Sequence, residues 1–111
     1  MTFSDLRKAN ITRQAEWPGN GKADIAFRGL EVAGEVGEVA EALKKYLRGQ
    51  RGIHGSTASL DDVADEIADA IIALDLLAQD LGIDIGAAVA RKFNATSERH
   101  GLKTRMPEDA G

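Results

Sequence analysis

The middle of this chain carries one pattern written twice, and that repetition restricts the fold more than anything else in it. Glu31, Glu35 and Glu38 are spaced four then three, and Asp62, Glu66 and Asp69 repeat the spacing 31 residues later. The same offset aligns Val32 with Val63, Val36 with Ile67, Ala40 with Ile71 and Leu43 with Leu74. Steps of three and four are the period of an α-helix, so each copy specifies a helix with an apolar stripe and an acidic strip. At about 100° per residue, the strip lies roughly 110° to the same side of the stripe in both copies. Packed antiparallel, two such helices keep their strips on one side of the pair, because a two-fold axis perpendicular to its plane relates them. Packed parallel, they would hold the strips on opposite sides. The Gly-rich connection, Gly49 to Ser59, is short enough to make the helices antiparallel neighbours.

Carboxylates gathered beside a core repel one another and lose hydration, a cost that a divalent cation removes. All the donors here are oxygen, and neither His nor Cys shares a strip. That selects a hard ion, magnesium or else manganese, over zinc. Magnesium commonly keeps waters and binds substrate phosphates together with one or two carboxylates, which makes a polyphosphate the natural substrate of such a site. An acidic strip is also the ordinary solvated face of an amphipathic helix. Lysines would then be interspersed, and neither strip contains one; Lys44 and Lys45 follow Glu38 by one to two turns, where they meet phosphates or face water.

Around these helices there is room for one domain and one core: 111 residues, 43% apolar, with aromatics at only 5%. That mix favours helix over sheet. A first helix is expected from about Ser4 to Trp17, ending at the turn Pro18-Gly19-Asn20-Gly21. The second runs from about Asp24 to Arg48. The third runs from about Leu60 to Leu81, with Ser59 as N-cap and Gly82 just past its end. A fourth spans about Asp84 to His100 and is closed by Gly101. The expected architecture is all-α and four-helix bundle-like, with two long antiparallel central helices, a single domain over 1–102 and a flexible tail over 103–111. Ile72, Leu76 and Ala68 lie off the main stripe of the third helix, so that helix is apolar on two faces. In so short a chain a second copy covers the extra face most economically, giving a homodimer or homotetramer.

Several function classes fall away. With no cysteine, neither a disulfide framework nor a thiolate metal site can form, and a reducing compartment is compatible. The longest apolar runs are broken by Asp and Glu, and no basic region followed by an apolar stretch opens the chain, so the expected location is cytoplasmic, with no membrane partner. A net charge of −4 argues against binding duplex nucleic acid. His54 and His100 sit beside glycines with no partner at ligand spacing. Gly19-Asn20-Gly21-Lys22 lacks the full spacing of a phosphate-binding loop and reads as a mobile turn.

Glu35-Val-Gly-Glu38, followed by Glu66-Ile-Ala-Asp69, resembles the paired Glu-x-x-Glu and Glu-x-x-Asp motifs of the MazG-like all-alpha pyrophosphohydrolases. Arg13-Gln14-x-Glu16-Trp17, Leu30-Glu31, Lys44-Lys45, Asp75-Leu76-Leu77-Ala78 and Lys92-Phe93-Asn94-Ala95-Thr96-Ser97 look like a subgroup found in phage and bacterial proteins. The resemblance covers about residues 5–102. It implies magnesium-dependent hydrolysis of a nucleoside or deoxynucleoside triphosphate to the monophosphate and pyrophosphate, as in cleaning of nucleotide pools. By position it implies Glu35, Glu38, Glu66 and Asp69 as metal ligands and catalytic groups, and Gln14, Trp17, Lys45, Lys92 and Asn94 as substrate contacts. Gln14 and Trp17 would frame the nucleobase. Many members carry two adjacent glutamates at the start of the first motif, where this chain has Gly34 before Glu35. Glu31, one turn earlier, could take the missing role, which leaves the number of ions open. Two other readings stand beside this one: a non-enzymatic helical module whose acidic strip docks a basic partner, and hydrolysis of phosphoribosyl-ATP.

Overall fold

A computed structural model describes residues 1–108. It contains four α-helices and no strand among the described residues: α1 (Phe3–Glu16), α2 (Ile25–Gln50), α3 (Leu60–Asp80) and α4 (Ile85–Arg99), with one 3-10 turn, Asn20–Lys22, between α1 and α2. No helix among the described residues is long and apolar enough to cross a membrane.

Local chemistry sets the helix ends. Thr2 and Asp5 form a reciprocal capping box on α1, and Ser59 and Asp62 form another on α3. Asp24 and Asp84 cap α2 and α4 by accepting from Phe27 N and Ala87 N. At the other ends, Gly82 and Gly101 adopt φ of +68° and +66°. Behind them Ile83 N donates to Ala78 O and Leu102 N donates to Ser97 O, both at 2.8 Å, which satisfies carbonyls the helices leave open. The expected helices are therefore present to within two residues at each end; the 3-10 turn was not foreseen.

α2 and α3 pack along their length as the central pair. Arg28 near the start of α2 stands 3.4 Å from Asp80 at the end of α3, and Gly49 at the far end of α2 lies against Thr57, so the two helices run antiparallel. α1 lies on α3 and touches α4. The arrangement is open: its extents are 47 × 47 × 25 Å, and its radius of gyration is 17.1 Å, against about 13 Å for a compact chain of this length.

Openness shows in what is buried. The apolar core consists of Ala42, Val63, Ala70, Ala73, Leu76, Ala78 and Ala90, mostly small side chains. The stripe read from the sequence as the main core face is buried at Val63 and, at the far end of the third helix, at Ala78; Val36, Leu43, Ile67, Ile71 and Leu74 keep substantial exposure, while Leu76, read as the second face, is buried. The periodicity located the apolar faces correctly as faces, but not the order in which a single chain covers them.

α1 has few apolar groups to dock with, and Ile11 is exposed. It is held instead by a polar clamp on Asp75 of α3, which is 1% exposed. Arg7 Nε donates to both carboxylate oxygens at 3.1 and 3.2 Å, Asn10 Nδ2 donates at 2.9 Å, and Arg7 Nη2 donates to Ile83 O at 2.7 Å. A buried carboxylate survives only with such partners, and removing it strands the others. We expect Asp75→Ala to lower stability by about 3 kcal/mol, the low end for a buried pair because the Arg7 side chain, 23% exposed, regains some water. A urea unfolding midpoint unchanged from wild type would show that apolar contacts alone hold α1.

Candidate metal and nucleotide site

The antiparallel packing of α2 and α3 brings Glu35 of the first repeat beside Glu66 and Asp69 of the second. One oxygen from each lies within 4.8 Å of the others. Glu35 and Glu66 are half-buried and Asp69 is exposed, so the cluster opens to solvent on one side. Partial desolvation pushes the Glu66 carboxyl above its ordinary value, reinforced by the charges of Asp69, Glu38, Glu35 and Asp65. Glu38 is exposed at the rim, near enough to contribute that repulsion. Three convergent oxygen donors with no nitrogen or sulfur among them form a donor set that suits magnesium or manganese.

The other two members of the repeated strips are committed elsewhere. Asp62 closes the capping box with Ser59, accepting from Ser59 N at 2.8 Å, so the six acids read from the sequence do not form one patch. Its position in the first turn of α3 makes it a cap before it can be a ligand. Glu31 accepts from Arg28 Nη1 at 2.8 Å. At Gly34, where the motif resemblance leads one to expect a second glutamate, a side chain would meet nothing within 4 Å, so no steric demand explains that departure.

Beside the cluster lies a cavity of about 530 Å³ whose walls include Glu31, Glu35 and Asp69 on one side and Arg13, Gln14, Trp17 and Lys22 on the other. Trp17 is 60% exposed, leaving its indole free as a stacking surface at the cavity edge. The turn that carries Lys22 is thus part of the wall, and it is anchored: Asn20 Oδ1 accepts from Arg28 Nη2. Among the expected substrate contacts, Gln14 and Trp17 share this cavity with the carboxylates, and the other three do not line it. Lys45 is half-buried farther along α2. Lys92 lines a separate groove on α4 with Val89, Phe93 and Leu102. Asn94 is occupied by the C-terminal segment: its Nδ2 donates to Met106 O and Glu108 Oε1, and its Oδ1 accepts from Met106 N. Residues 102–108 thereby turn back onto α4; 109–111, the rest of the expected flexible tail, lie outside the described residues.

Arg28 is the site residue that sequence reading missed. It is 5% exposed, lines the cavity, and bonds to α1, to the 3-10 turn and to α2 itself. A signal was available. A cation in the first turn of a helix opposes the helix dipole, so it needs a partner brought by the tertiary fold.

The crowding of carboxylates yields a measurable consequence. Glu66 binds its proton more tightly folded than unfolded, so without divalent cation the protein gains stability as pH falls from 7 towards the ordinary Glu value of 4.5. Asp5 and Asp62, lowered by their capping hydrogen bonds, oppose this only at more acid pH. We expect Glu66→Gln to raise the metal-free melting midpoint at pH 7 and to flatten that pH dependence. A lowered midpoint would mean that Glu66 is stabilised by its surroundings rather than repelled.

Comparison with known proteins bears on the family of the chain. The family model described as "MazG-like family" matches residues 34–108, a span holding Glu35, Glu38, Glu66 and Asp69. A curated relative, the "Gene 37 protein" of Mycobacterium phage L5, is 26% identical over 99 residues, covering 86% of each chain. No solved structure matches the chain significantly. With the family model spanning more than half of its length and both acidic motifs, the chain belongs to the MazG-like family.

Proposed function

We propose that this protein is a magnesium-dependent nucleoside or deoxynucleoside triphosphate pyrophosphohydrolase that releases the monophosphate and pyrophosphate. The carrying observation is the convergence of Glu35, Glu66 and Asp69 within 4.8 Å, at the wall of a cavity that also holds Trp17 and three cationic side chains. Family membership supports a nucleotide pyrophosphohydrolase-type activity.

Glu35, Glu66 and Asp69 would hold the cation, with Glu38 at the rim; when bound it supplies charge neutralisation for the phosphate oxygens. The rest is done by the chain. Lys22 and Arg13 offer charge for the polyphosphate, and Trp17 offers a face for the base. Water adds across the α–β phosphoanhydride, the bridging oxygen leaves with pyrophosphate, and a carboxylate of the cluster takes the proton of the attacking water.

The site is also proposed to work in an assembly. Val36, Leu43, Ile67, Ile71 and Leu74 form a partly exposed apolar face that the internal repeat writes on both central helices. A second copy presenting the same face would complete a four-helix core across a two-fold axis, as a homodimer or a pair of such dimers.

Asp69→Asn should cut magnesium-dependent pyrophosphate release by about a hundredfold or more while helical circular dichroism is retained. Magnesium should raise the melting midpoint of the wild type and not of the variant, because a ligand selective for the native state must do so. Undiminished turnover would reject the assignment, and an unmoved wild-type midpoint at millimolar magnesium would favour a module that docks a basic partner. Leu74→Glu, on the exposed face, should shift the sedimenting species to monomer; an unchanged oligomer would place the interface elsewhere.

A further inference from the structure

Arg28 makes more contacts than anchoring a turn requires. Its Nη2 donates to Gln14 Oε1 at 3.1 Å and also to Asn20 Oδ1, while Nη1 donates to Glu31. Its Nε, buried and without a hydrogen bond, lies 3.4 Å from Asp80 Oδ2. The guanidinium is thus held from α1, the 3-10 turn, α2 and α3 at once.

A guanidinium has five N–H donors and no acceptor. Whatever part of an amide it grips must be the oxygen, so the usual ambiguity between amide oxygen and nitrogen is resolved for Gln14 and Asn20. Neither amide nitrogen has a partner among the described residues. Neither is buried, since the buried side-chain atoms lacking partners there are Arg28 Nε and Gln79 Oε1. Both residues line the cavity that holds Trp17. The consequence is a wall with two free NH2 donors and both amide oxygens already occupied.

We infer that Arg28 is a positioning residue that sets the polarity of Gln14 and Asn20, so that the site reads hydrogen-bond acceptors on a nucleobase stacked near Trp17. Carbonyl oxygens and unprotonated ring nitrogens satisfy such a wall, whereas an exocyclic amino group facing it is left unpaired. This rests on the nucleotide reading above and deepens it from a class of substrate to the chemistry of the base edge.

Gln14→Glu and Asn20→Asp test it with little change of shape. Each keeps an oxygen for Arg28, so the fold should be retained, which helical circular dichroism checks. Each also removes a donor. For the best of the eight common nucleoside triphosphates, kcat/KM should fall roughly tenfold, the worth of one hydrogen bond of about 1.4 kcal/mol, with the loss carried by KM. The ratio of best to worst base should shrink by the same factor. Simple repulsion of the triphosphate would lower all bases alike and leave the ratio intact. Arg28→Lys keeps the charge but gives up the planar group that Glu31 and Asp80 hold in place while it grips the two amides, so it should lose base discrimination too.

An active wild type whose base ratios survive in both carboxylate variants would overturn the inference and leave the proposed activity standing. A wild type that neither hydrolyses nor binds any of the eight nucleotides would overturn both.

Discussion

Like charges are held together where α2 and α3 pack antiparallel, and the rest of the molecule follows from keeping that packing in register. A slip of one helical turn, about 5.4 Å, would carry Glu35 away from Glu66 and Asp69 and dissolve the cluster. Contacts at both ends of the pair guard against it. Arg28 meets Asp80 at one end, and at the other Arg48 Nη1 donates to Ser56 O at 2.6 Å while Gly49 leaves room for Thr57. Between them the buried residues are small, which lets two backbones approach closely enough for short carboxylates on neighbouring helices to share one centre.

The second wall of the cavity depends on polar groups rather than on apolar area. α1 is fastened near one end by Arg7 and Asn10 on Asp75, and near the other by Gln14 on Arg28. Buried charges fixed in this way add little net stability, since desolvation offsets much of their attraction. They do restrict orientation, because a forked guanidinium is satisfied in few geometries. The wall bearing Gln14 and Trp17 therefore faces the carboxylates at a defined angle, although α1 has no continuous apolar stripe to dock with.

Much of this was legible in the residues. The twofold spacing of acids and apolar groups gave away two helices and their relative direction, since period and hand are properties of the α-helix alone. Ser59, Gly82 and Gly101 marked helix ends because capping is decided within a few residues. Less legible were the competing uses of one residue type. Asp62 continues the acidic strip faultlessly, yet its place three residues after Ser59 makes it a cap. Lys92 and Asn94 fit the family pattern, but α4 carries them to a separate groove and to the C-terminal segment.

By itself the sequence determined the helices, their ends, the antiparallel central pair and the carboxylates that could meet across it, because each depends on neighbours within a turn or two or on a repeat visible along the chain. Tertiary structure alone decided that Arg28 binds Gln14, Asn20 and Glu31, that Asp75 clamps α1, and which apolar face a single chain leaves open. Those outcomes depend on contacts between residues far apart in sequence. The direction of an amide or a guanidinium is set by whichever partner arrives, and no local period records that.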